Sequence, residues 1–75
     1  GDYKVTDEAL FFKMVKSAFA QRRKTILNSL SSGMGIEKEK ITLAVENAGL
    51  SLTARAEALT MDELVTLSNK ISEVK

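Results

Sequence analysis

The chain has no cysteine and no histidine among its 75 residues. Disulfides, thiol nucleophiles, imidazole bases and the usual zinc ligands are thereby excluded. A metal would have to rest on carboxylates alone. The ten acidic residues are scattered, without the Asp-x-Asp-x-Asp-Gly spacing of a calcium loop, so no metal site is expected. Proline is also absent, and nothing in the chain forbids long helices. No apolar run exceeds a few residues, so no membrane span is expected. Gly1-Asp2-Tyr3-Lys4 has no signal-peptide character. The expected location is cytoplasmic, with no membrane partner. Gly1 in place of an initiator methionine fits a piece excised from a longer chain, with the glycine left by tag removal.

At this length one domain is expected, with a thin core burying roughly 60% of the unfolded chain's surface. A hydrophobic fraction of 44% beside 28% charged residues is too apolar for a disordered chain. The chain should therefore fold unaided as one small module, residues 1–75.

Apolar residues recur at spacings of three and four with few β-branched alternations, which predicts an all-α domain of four helices. The first helix begins near Thr6 or Asp7, where a capping oxygen and the acids Asp7 and Glu8 suit the positive end of the helix dipole. Its core face reads Leu10, Phe11, Met14, Val15 and Ala18, widened by Phe12 and Phe19; Lys13, Lys16 and Ser17 lie opposite. The helical spacing assigns the three phenylalanines to the core rather than to base stacking. A break is expected around Ala20 to Arg22, after which Ile26, Leu27 and Leu30 resume the pattern. This short second helix should end in Ser31-Ser32-Gly33-Met34-Gly35, a flexible turn that matches neither a P-loop nor a dinucleotide fingerprint.

The third helix is predicted from about Glu37 to Ala48, burying Ile41, Ala44, Val45 and Ala48. Gly49 is placed for the left-handed C′ conformation, and Leu50 for folding back. Thr60-Met61-Asp62-Glu63 reads as a capping box. It opens a fourth helix that buries Leu64, Leu67, Ile71 and Val74. Arg55 and Glu57 are expected to tie the preceding loop to the domain.

Catalysis finds no support in these residues. Asp7-Glu8 and Asp62-Glu63 are helix-start acids, not a carboxylate pair across a cleft. A serine nucleophile has no base, since Lys16 beside Ser17 on an exposed face would keep its proton.

The charge distribution is the strongest remaining signal. Between Glu8 and Glu37 there is no acidic residue, while Lys13, Lys16, Arg22, Arg23 and Lys24 lie there; elsewhere six cations face ten acids, a net of −4. A polarised molecule with a dense cationic turn predicts contact with RNA phosphates. Arginine adds a planar fork for two hydrogen bonds to one phosphate. The competing reading pairs Arg22 or Arg23 with Glu57 or Glu63 inside the domain, or with another domain. Lys13 and Lys16 have simple surface solvation as their alternative. Asn28 can equally serve to hydrogen-bond a backbone carbonyl.

The order of residues in this stretch is specific enough to compare with a family. Phe11-Phe12, Ala18-Phe19 and Gln21-Arg22-Arg23-Lys24-Thr25, then an apolar pair and Asn28, are followed downstream by Arg55-Ala56-Glu57-Ala58-Leu59-Thr60 and Leu67-Ser68-Asn69. From about Asp7 to Ile71 the chain resembles the C-terminal domain of bacterial small-subunit (16S) rRNA adenine N6-dimethyltransferases, the family whose loss gives kasugamycin resistance. The resemblance implies a parent enzyme that transfers methyl groups from S-adenosylmethionine to two adjacent adenines near the 3′ end of 16S rRNA. It places the cofactor and the catalysis in a preceding Rossmann-like domain, whose glycine-rich loop and Asn-Leu/Ile-Pro-Tyr/Phe motif do not occur here. The implied partners are 16S rRNA in the immature small subunit and the parent's own N-terminal catalytic domain. This module would be non-catalytic and hold no cofactor. Rival readings are the equivalent domain of a large-subunit (23S) rRNA methyltransferase or of a mitochondrial transcription factor relative, and a structural or protein-interaction module.

Overall fold

The computed structural model describes residues 4–21 and 23–75. Its order is α1 (Glu8–Ala20), α2 (Ile26–Met34), α3 (Lys38–Asn47), a 3-10 turn at Ala56–Ala58, and α4 (Met61–Val74). The all-α class and the four predicted helices are those found. Successive helices pair, α1 on α2 and α3 on α4, and α2 against α3 and α1 against α4 close the bundle.

The helix starts follow local chemistry. Asp7 sits in extended backbone before α1 and its Oδ1 accepts the Leu10 amide at 3.1 Å. Thr25 does the same for the Asn28 amide at the start of α2, at 3.4 Å. The capping box before α4 is complete: Glu63 N–H donates to Thr60 Oγ1 at 3.2 Å, and Thr60 N–H donates to Glu63 Oε1 at 2.8 Å. At the other end of α3, Gly49 has φ of 75° and the Leu50 amide donates back to Val45 O at 3.0 Å. This is the predicted left-handed stop, and Leu50 packs against the core.

The core consists of Leu10, Met14 and Ala18 from α1, Ile26, Leu30 and Met34 from α2, Ile41, Ala44 and Val45 from α3, and Leu64, Leu67 and Ile71 from α4. Burying a Leu or Ile side chain completely contributes about 1.5–3 kcal/mol each.

Three expectations are corrected. Phe12 and Phe19 do not widen the core face; they are 68% and 39% exposed. The buried stripe of α1 repeats every four residues from Leu10 to Ala18, and Phe12 lies roughly half a turn round the helix from it. Phe11 does pack on the core and meets Phe12 edge to face, ring centroids 5.8 Å apart.

The second correction concerns Ser31-Ser32-Gly33-Met34, which is not a flexible turn but the last part of α2, closed by Gly35 at φ 66°. A side chain at Gly33 would place its Cβ 2.5 Å from Ser17 Cβ. The glycine is therefore a contact point between α1 and α2, and Met34 beyond it is buried. The third is that Arg55 and Glu57 form no tie among the described residues: both are exposed, and neither enters an ion pair. The loop is held by its small residues instead. Ala56 is buried, and Ala54 O accepts the Ile26 amide at 2.8 Å.

Candidate nucleic-acid interface

α1 ends at Ala20 and α2 begins at Ile26, so the cationic run falls in the turn between two helices that pack on each other. The turn is short because both helices must keep their core stripes in contact. The Lys24 amide donates to Gln21 O at 3.1 Å, which directs the chain back. Arg23 and Lys24 are exposed. Arg22 lies outside the described residues, so its predicted role stands on sequence alone.

The intradomain alternative finds no partner for Arg23. Among the described residues the ion pairs are Lys70 with Glu73 and Lys75 with Asp7. The Glu63 carboxylate is engaged by the Thr60 amide. Arg23 and Lys24 are thus open to solvent at the junction of two helices, beside the start of α2.

Lys13 and Lys16 are also exposed, on the outer face of α1. Lys16 lies between Phe12 and Phe19 at helical spacings of four and three, so the outer face alternates rings and charge. Lys13 belongs to different surroundings. It lines a groove of about 290 Å³ with Asp7, Leu10, Met34, Ile36 and Lys75. Lys24 lines another, of about 370 Å³, with Asn28, Ser31, Ser32 and Lys38. Lys13 and Lys24 therefore line different grooves.

Among the described residues Asp7 is the one group whose titration is clearly displaced. The Leu10 amide it accepts, helped by the Lys75 ammonium 3.4 Å away, holds its carboxyl below the ordinary value. Its role is to start α1 and to tie that start to the end of α4.

Asn69, on α4, has a similar role. Its Oδ1 accepts the Thr6 amide at 2.9 Å and its Nδ2 donates to Lys4 O at 3.0 Å, so one side chain clamps the entering strand of chain onto α4. Asn28 makes no such bond from its side chain among the described residues; it is exposed in the Lys24 groove. The alternative role, a bond to a backbone carbonyl, finds no partner among the described residues.

No helix among the described residues is long and apolar enough to cross a membrane. Among them there is also no group of three metal-ligating side chains.

No family model matches the chain. Curated proteins do. It is 48% identical over 67 residues to the ribosomal RNA small subunit methyltransferase A of Moorella thermoacetica, a match covering 89% of this chain and 23% of that protein. The protein of the same name from Halothermothrix orenii is 46% identical over 77 residues, covering 95% of this chain and 26% of its relative. That from a Geobacillus species is 43% identical over 74 residues, with 95% and 25% covered. The chain thus spans about a quarter of the length of the curated relatives it matches. As a segment of that size, similar along nearly all of its own residues, the chain is a relative of one part of the proteins named ribosomal RNA small subunit methyltransferase A.

Proposed function

We propose that this chain is the C-terminal, rRNA-docking domain of an S-adenosylmethionine-dependent 16S rRNA adenine N6,N6-dimethyltransferase acting on two adjacent adenines of the immature small subunit in the cytoplasm. The observation that carries the reading is the exposed turn with Arg23 and Lys24, unpaired with any acid among the described residues. The relatives' printed name supports RNA as its partner. Lysine and arginine there would neutralise backbone phosphates, giving a salt-dependent affinity that suits docking on structured RNA. The domain's part in the reaction is positioning: it holds the parent enzyme so that a flipped base reaches the catalytic pocket of the other domain.

We assign methyl transfer and its cofactor to the remaining three-quarters of the parent. The residues here do not fit S-adenosylmethionine. One groove is walled by lysines and small polar side chains, the other is spanned by the Asp7–Lys75 pair, and no glycine-rich strand-to-helix turn is present among the described residues. A second reading, a face for the rest of the parent protein, is favoured by one observation: the exposed rings of Phe12 and Phe19.

The test is a salt titration of binding between the 75-residue chain and immature small subunits, with Arg22→Ala, Arg23→Ala and Lys24→Ala combined in a variant. RNA docking predicts steep salt dependence, lost affinity and a shallower slope in the variant, with helical circular dichroism unchanged. Binding that ignores salt and survives the triple substitution would favour the protein-facing reading. Unfolding of the variant would make the turn structural and remove the support for RNA.

A further inference from the structure

We infer that the groove between α2 and the start of α3, lined by Lys24, Asn28, Ser31, Ser32 and Lys38, is a phosphate-binding cradle for the RNA backbone. The inference rests on the proposal that the basic turn faces RNA, and it extends that face to residues outside the cationic run. Four observations carry it.

The groove holds about 370 Å³ and carries a lysine from each side and no acid in its lining. Its floor comes from one side of α2, where Ser32 follows Asn28 by four positions, and Lys24 stands in the turn just before the helix. These are short side chains with hydrogen-bond donors, so a phosphate can approach the helix closely while the longer lysines reach it from the flanks.

Donors remain available there. Ser31 gives its hydroxyl proton to Ile36 O at 3.0 Å and thereby holds the link that delivers Lys38. The Asn28 side-chain carboxamide and the Ser32 hydroxyl make no hydrogen bond among the described residues, and both residues are exposed. Neither Lys24 nor Lys38 is in an ion pair among those residues.

Lys38 is also badly placed for its own helix. It opens α3, where the helix dipole disfavours a cation. Glu37 before it makes no side-chain cap, which leaves the first amides of a ten-residue helix without that acceptor. An anion beside Lys38 would relieve both features at once. Glu37 and Glu39 flank Lys38 in sequence but do not line the groove.

The experiment measures binding of the 75-residue chain to a short RNA hairpin across a salt series. Lys38→Gln and Ser32→Asp test the cradle, Arg23→Ala tests the basic turn, and Lys40→Gln serves as a spectator on α3. Circular dichroism of each variant checks the fold, which these exposed positions should leave intact. The cradle predicts about three- to tenfold weaker binding for Lys38→Gln, with the salt slope shallower by roughly 0.7–0.9. Ser32→Asp should cost more than about tenfold, by setting a carboxylate against the phosphate. Lys40→Gln should stay near the unmodified chain. If Arg23→Ala weakens binding while Lys38→Gln and Ser32→Asp do not, the cradle is overturned and the basic turn stands. If all three bind like the unmodified chain, both are overturned. Equal losses for Lys40→Gln and Lys38→Gln would overturn the cradle by reducing it to net charge.

Discussion

The turn between α1 and α2 carries Arg23 and Lys24 outward and is braced by the bond from the Lys24 amide to Gln21 O. The connection from Ala48 to Thr60 is built the other way. It buries Ala56, packs Leu50, Leu52, Ala54 and Leu59 against the core, and braces itself through the Ala54, Ala58 and Leu59 amides. The first is a carrier of charge with little packing; the second is packing with little charge at its anchoring points. They meet at one bond, from the Ile26 amide to Ala54 O. The long connection thus fixes the start of α2 immediately after the basic turn, and a structural loop sets the position of the one we propose to bind.

That contrast can be broken most forcefully at Ala56. Ala56→Glu sets a longer, ionisable side chain into a site 3% exposed, and should cost roughly 2–5 kcal/mol through overpacking and desolvation. Chemical denaturation measures it; a loss under about 0.5 kcal/mol would mean the loop is not an anchor. Next comes Gly33→Ala, which forces α1 and α2 apart at Ser17 and should cost roughly 1–3 kcal/mol. Adding Ser17→Gly should recover most of it, which a shape-independent effect would not permit. Thr60→Ala removes one bond of the capping box and should cost about 1 kcal/mol in the same assay.

A smaller effect is expected from pH at Asp7. Its carboxyl titrates below the ordinary value when folded, chiefly because it accepts the Leu10 amide. The charged form is therefore favoured by folding. Its contribution is present above the ordinary carboxylate range and fades as acid protonates the group below about pH 4. Melting curves of the unmodified chain and Asp7→Asn should differ at about pH 6 and converge toward about pH 3. A constant gap would place the acid sensitivity elsewhere. The least effect on stability should come from Arg23→Ala with Lys24→Ala, within about 0.5 kcal/mol, although the same pair should show the largest change in RNA affinity. That inversion is the sharpest form of the comparison.

What was legible in the sequence follows the range of the interaction. The Thr60–Glu63 box, the Asp7 cap and Gly49 are decided within a turn of chain, so their residue types announce them. Gly33 is decided by Ser17 on another helix, and read alone it looks like a turn residue. Phe12 and Phe19 misled for a related reason, while Phe11 packs as expected: α1 is apolar over too wide an arc for periodicity to say which side is buried, and the partner helices chose Leu10, Met14 and Ala18. Of the candidate site, the cationic turn was visible because its charges are consecutive. The Lys24 groove was not, because Asn28, Ser32 and Lys38 converge only when α2 runs on through Gly33 and α3 starts beside it.

The Asn69 clamp has a consequence for the order in which the molecule assembles. Its bond to Thr6 spans 63 positions, and the neighbouring Lys75–Asp7 contact spans 68. Each closes almost the whole chain into a ring, whereas the α1–α2 and α3–α4 hairpins need only short closures. The hairpins should therefore form early and the clamp last, so that residues 4–6 can detach and reattach while the core stays shut. Amide deuteration would then be fast at Thr6 and slow at Ile41 in the same native molecule.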